Sequence, residues 1–323
     1  MNADLKVLDF RQDLKILVMF LIVQFFGLLL ATLIYNGLSL VQLQSYQNSI
    51  SSTSYAPFYY IVTIAFVAFV IVILFKSIRG KKLLYLFEAL AILIGAFYFF
   101  GFILEIFINN AIILVILSLS LTLLIYFLKR RYIWFRNIAT MIMCIGLGVL
   151  IGIGLPFNIV MLLMILLAIY DFIMVFITKY MITMGKAAMD MNLALLVAVN
   201  EIEGIPKSEL RSSEIKQYEE HKKKLKEYPK LLNKLDKEGY IPIYGQRALG
   251  NGDMAMPLVV AVSAYTVYQN FMLSMFVIIG STIGLLLTFL IQVKYRKPLP
   301  AIPPLLFGIL IMLFVYYLLF IIF

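Results

Sequence analysis

The sequence predicts an all-α membrane protein of nine transmembrane helices, and three observations carry that prediction. Hydrophobic residues make up 63% of the 323-residue chain and charged residues only 14%, whereas a soluble domain is near half apolar and about a quarter charged. Nine apolar runs approach the roughly 20 helical residues needed to cross about 30 Å of hydrocarbon. Lys and Arg fall only into every second connection between those runs.

The nine runs are 16–35, 58–75, 83–104, 111–128, 138–154, 159–178, 248–268, 271–293 and 302–323. The first follows a charged leader (Asp4, Lys6, Asp9, Arg11, Asp13, Lys15) without a small-residue cleavage site, so it reads as a retained helix. The third contains Glu88 and ends at Glu105. The fifth carries Gly146, Gly148, Gly152 and Gly154, a surface suited to close helix packing. The sixth contains Asp171. The seventh is the least apolar, because it opens on Gly250-Asn251-Gly252-Asp253. The ninth begins within Pro300-Ala301-Ile302-Pro303 and continues with Pro304.

Orientation follows from the basic residues. The N-terminal tail holds three, 76–82 four, 129–136 four, 179–247 thirteen and 294–297 three, which accounts for all 27. The intervening connections hold none. The N-terminus is therefore expected in the cytoplasm and the C-terminus outside. The chain divides into helices one to six (1–178), a cytoplasmic amphipathic and charged loop (179–247) and helices seven to nine (248–323). Within the loop, 200–247 has 11 basic and 9 acidic residues and reads as a linker. Its stretch 208–227 has the weak apolar stripe of a solvated helix, and 184–199 is apolar enough to lie along the membrane face.

The same placement disposes of several function classes. The net charge of +10 is a topological signal, so no nucleic-acid partner is expected. One cysteine, Cys144, excludes a disulfide framework or a cysteine metal site, and one histidine, His221, leaves no histidine triad or zinc site. Neither a phosphate loop nor a dinucleotide fingerprint is present. No cofactor and no metal are expected.

Acids within spans are functional candidates by default, because the bilayer makes them expensive. Glu88 and Glu105 lie close enough to span ends to reach a headgroup region, and a structural role suits them. Asp171 and Asp253 differ. Asp171 comes eight residues before Lys179, and Asp253 six residues after Arg247. At 1.5 Å per residue, both lie about 9–12 Å from the cytoplasmic boundary. Two carboxylates at one level cannot both ionise cheaply, so they would share a proton, one as base and one as acid. That pair can activate water against a peptide carbonyl without a metal. The same pair could instead serve a proton-coupled transporter or an ion channel.

The local motifs discriminate. Tyr170-Asp171 in the sixth span, Gly250-Asn251-Gly252-Asp253 in the seventh and Pro300-Ala301-Ile302-Pro303 at the ninth resemble, in order, the motifs of the presenilin and signal peptide peptidase superfamily of intramembrane aspartyl proteases. The stretch from Tyr170 to Lys186, and Pro257, are similar to the signal peptide peptidase branch. The orientation is presenilin-like. Two positions depart from the pattern: Asn251 stands where the family has Leu, which bears on substrate preference, and Ile302 replaces Leu in the ninth-span motif, a volume-conserving change.

The resemblance implies a presenilin-like fold, catalytic Asp171 and Asp253, and supporting roles for Tyr170, Gly250, Asn251, Gly252, Pro300, Ala301, Ile302 and Pro303. It implies a multi-pass protease of a prokaryotic (archaeal) plasma membrane that cuts transmembrane helices or signal-peptide remnants. Its partners would be helical substrates and the lipid bilayer, and a homo-oligomer is compatible with the sequence. Prepilin-type peptidases share the glycine motif, but have fewer spans and lack the Pro-Ala element. A transporter would be expected to show repeat symmetry, and no internal repeat is found.

Overall fold

The computed structural model describes residues 3–37, 80–131, 133–177, 193–206, 240–295 and 299–322. In chain order these form α1 (Ala3–Gly37), α2 (Gly80–Glu105), α3 (Ala111–Arg131), α4 (Ile133–Gly154) and α5 (Phe157–Phe172), the last continued by a π-helical turn at Ile173–Ile177. Then come β1 (Leu196–Pro206), β2 (Tyr240–Gly250), α6 (Asn251–Tyr268), α7 (Phe271–Tyr295) and α8 (Ile302–Tyr317), with a second π-helical turn at Leu318–Ile322. Seven of these helices are long and apolar enough to cross a membrane. They correspond to the expected first, third to sixth, eighth and ninth spans. The expected second span, 58–75, and the expected helix at 208–227 lie outside the described residues.

The architecture departs from an all-helical reading in one place. β1 and β2 pair as a two-stranded sheet within what reads as loop and span start. Leu196–Val199 are therefore strand, not an interfacial helix, and the seventh helix starts at Asn251 because Ala248–Gly250 finish β2. β-Branched residues explain β1: Val197, Val199, Ile202 and Ile205 favour extended backbone.

The chain forms two compact units, 1–18 with 198–249, and 19–197 with 250–323. In the smaller unit, Arg247 near the end of β2 pairs with Asp13 of α1 through an Nη1–Oδ1 contact of 2.5 Å. The larger unit is the helical bundle. In it α7 packs along α8, α2 and α6 both pack on α4, and α5 meets α6 and α8.

At the heart of that bundle lies α6, with eleven of its eighteen residues buried. Its low hydropathy has a simple cause: protein, not lipid, surrounds it. Gly146, Gly148 and Gly152 of α4 make the close packing that the sequence suggests, whereas a Cβ on Gly154 would meet nothing within 4 Å. A Cβ on Gly146 would lie 1.8 Å from the Gly95 carbonyl oxygen of α2, and one on Gly148 would meet Leu258 of α6. Only hydrogen fits between α2 and α4 at that level.

Candidate active site

Asp171 closes the regular part of α5, just before the helix widens into its π-helical turn. Such turns shift the side chains that follow and recur at functional sites. The Asp171 side chain is buried. Its Oδ2 accepts a hydrogen bond from the backbone N–H of Ile302 at 3.2 Å, and the Ala301 amide faces the same carboxylate. Its other oxygen, Oδ1, is buried without a hydrogen-bond partner among the described residues.

The start of α8 explains why Ile302 is the donor. A helix N-terminus leaves its first amides without intrahelical acceptors, and proline, which has no N–H, fits that first turn. Pro303 and Pro304 therefore offer nothing, and Leu305 already donates to the Ala301 carbonyl at 3.2 Å. The Ile302 amide is left for the acid. The helix begins inside the motif, at Ile302, with Pro303 and Pro304 in its first turn. Pro300, Ala301 and Ile302 are buried and Pro303 is half-buried.

Asp253 sits in the first turn of α6, three residues after the N-cap Gly250. From there a carboxylate can reach back to the N-cap amide and meets the positive end of the helix dipole. The Gly250 amide does face it. A Cβ on Gly250 would approach Asp253 Oδ2 to 3.1 Å, whereas one on Gly252 would meet nothing within 4 Å. The two glycines thus differ. Gly250 makes room for the acid, and Gly252 is exposed beside it. Asp171 and Asp253 lie within electrostatic reach of each other, so α5, α6 and α8 bring the three motifs to one place.

Of the other expected residues, Tyr170 is exposed on the outer side of α5. Asn251 is tied inward. Its backbone N–H donates to the Leu195 carbonyl at 3.2 Å and its Nδ2 to the Ala194 carbonyl at 3.0 Å. Beside Asp171, an apolar groove of about 380 Å³ runs between α5 and α8. Ala168, Ile169 and Phe172 line one side, and Pro303, Phe307 and Leu310 the other.

Sequence reasoning missed Gln24 and Thr140, and the partners of Glu88. Gln24 of α1 is fully buried and donates to the Met254 carbonyl at 2.8 Å, one residue after Asp253. Glu88 faces protein: it is 2% exposed, pairs with Lys129 of α3 and accepts the Ala194 amide. Thr140 of α4 donates to the Ala194 carbonyl at 3.2 Å. Each is a polar residue in or beside an apolar run, which is the signal that could have found it. Glu105 is exposed at the end of α2, as a span end should be. Among the described residues, no three His, Cys, Asp or Glu side chains cluster as metal ligands.

Asp171 and Asp253 are thus buried carboxylates on two helices, α5 and α6, that pack together in an apolar bundle. Residues 17–322 match the family model described as signal-peptide peptidase, presenilin aspartyl protease. The chain belongs to that family. No curated protein sequence matches it. Among solved structures it is similar to a presenilin family intramembrane aspartate protease in a C222 crystal form, at 19% identity and a TM-score of 0.55, over 93% of this chain and 96% of that one. The P2 crystal form of such a protease gives 20% identity and a TM-score of 0.53, over 95% and 97%. At this identity these likenesses speak for the fold. The enzyme is an intramembrane aspartic hydrolase of an integral, multi-pass membrane protein family.

Proposed function

We propose that Asp171 and Asp253 form the catalytic dyad, and that the substrate is a transmembrane helix or signal-peptide remnant cut toward the cytoplasmic leaflet. The observation that carries this is the meeting of the two acids with the Ile302 amide in one buried place. One carboxylate, ionised, takes a proton from water as the oxygen attacks the scissile carbonyl. The other, protonated, hydrogen-bonds the carbonyl oxygen and neutralises it. Proton return to the amide nitrogen then releases the two peptide ends. The Ile302 amide holds Asp171 at Oδ2, which leaves Oδ1 facing the chemistry.

A helix in lipid has its backbone groups satisfied, so it must unwind locally before attack. The groove between α5 and α8 is apolar and is lined by Phe172, the residue next to Asp171, which suits the approach of a lipid-embedded segment. Exposed Gly252 lets substrate backbone pass close to Asp253. Tyr170, Gly250, Asn251, Pro300, Ala301 and Pro303 support the site around these contacts. The full topology belongs to the same reading: nine spans, with 179–247 cytoplasmic, in a prokaryotic plasma membrane.

The test is cleavage of a model transmembrane substrate by the purified, reconstituted protein, beside Asp171→Ala and Asp253→Ala. Product from wild type alone is expected. Product from either variant at the wild-type rate overturns the dyad.

A further inference from the structure

The Ala194 peptide is held from every side. Its N–H is accepted by Glu88 Oε1, and its carbonyl receives both Thr140 Oγ1 at 3.2 Å and Asn251 Nδ2 at 3.0 Å. Glu88 is also bound by Lys129 Nζ. Three helices, α2, α4 and α6, therefore converge on the backbone of Ala194 just before β1, and α3 joins them through Lys129. The next carbonyl, Leu195, accepts the Asn251 amide, and Asn251 stands two residues before Asp253.

Glu88 has no need to be charged and buried for packing alone. Apolar replacement of a buried ion pair is often neutral or stabilising, so the pair calls for another role. We infer that Glu88 is a positioning residue: held by Lys129, it pins the 193–195 turn and, through Asn251, fixes where the first turn of α6 presents Asp253. The inference rests on the proposed peptidase reading. A brace of this kind acts on the rate and on the bond chosen, not on substrate affinity, because displacement of a reacting group by about 1 Å can lower a rate about 100-fold.

The experiment uses the full-length enzyme reconstituted with a model transmembrane substrate, with kcat, KM, melting temperature and cleavage positions by mass spectrometry. In E88L/K129M both charges and the acceptor are gone. We expect kcat to fall at least about tenfold, KM to stay within about twofold, and cleavage to spread over neighbouring bonds. E88Q/K129M keeps a neutral acceptor for the Ala194 amide and should recover most of kcat and the single cleavage position. Thr140→Val, which removes one donor to the same peptide and leaves the ion pair intact, should show a smaller change of the same kind and decides the matter should E88L/K129M fold poorly. Wild-type kcat and cleavage position in E88L/K129M, or in Thr140→Val, overturn the inference, as does equal impairment of E88L/K129M and E88Q/K129M. A wild type that cleaves nothing overturns the peptidase reading, and this inference with it.

Discussion

Replacing Gly250 by Ala separates the catalytic from the folding contribution of a single hydrogen. The backbone at Gly250 is extended, φ −67° and ψ 151°, a region open to any residue. Alanine there brings no strain, and by restricting the unfolded chain it should stabilise by about 0.4–1 kcal/mol. Its Cβ would nevertheless lie 3.1 Å from Asp253 Oδ2 and 3.7 Å from its Cγ. The carboxylate must yield by a few tenths of an ångström. Since about 1 Å of misplacement can lower a rate about 100-fold, a third of that displacement scales to roughly fivefold in kcat. Gly252→Ala meets nothing within 4 Å and serves as the control for folding. The assay is single-substrate kinetics beside thermal melting of the detergent-solubilised protein. A wild-type kcat in Gly250→Ala, or a melting temperature well below wild type, would refute the reasoning.

Three other outcomes are expected. Asp171→Asn or Asp253→Asn should each reduce turnover to background, and melting should not drop, because a charge leaves a place where it is expensive; a retained rate in either variant removes that acid from the mechanism. The wild-type rate should peak between an acidic limb, where both carboxylates are protonated, and an alkaline limb, where neither is, with both limits belonging to the pair; a rate independent of pH contradicts a shared proton. Gly146→Ala should unfold the bundle at markedly lower temperature, by at least about 2 kcal/mol, since its Cβ would meet backbone that cannot swing away, the Gly95 carbonyl and the Phe99 nitrogen; an unchanged melting temperature would disprove the contact. Topology is checked separately: a cysteine placed at Ser51 should label from outside intact cells and one at Ser212 should not, and the reverse pattern inverts the proposed orientation.

The two candidate acids are legible because a bilayer makes every internal charge conspicuous. Asp171 and Asp253 stand out against runs of Ile, Leu and Met, and their distances along the chain from Lys179 and Arg247 place them at nearly one level. The role of Glu88 was not legible for the complementary reason. Read one residue at a time, it is an acid near a span end, and Lys129 is a topological charge. That they pair depends on which helices are neighbours, which hydropathy does not encode. The strands were hidden differently. Leu196–Pro206 is interrupted by Asn200, Glu201 and Glu203, and Tyr240–Gly250 contains Pro242, a residue that belongs at sheet edges and is tolerated in a two-stranded sheet. Both runs border a highly charged stretch, so composition spoke for loop while local backbone preference spoke for strand.

The enclosure of α6 bears on how the chain is made. Asn251 and Asp253, both in the first turn of α6, oppose partition of their own helix into lipid, because a polar or charged group is expensive to take out of water without partners. Eleven of the eighteen residues of α6 end up against protein, so their lasting solvent is other helices. Insertion of α6 must therefore be helped by segments already in the membrane, such as α4, or by the strongly apolar α7 that follows it. The acid reaches its place through biogenesis in company: the surroundings that let α6 stay polar are the surroundings it needs in order to arrive.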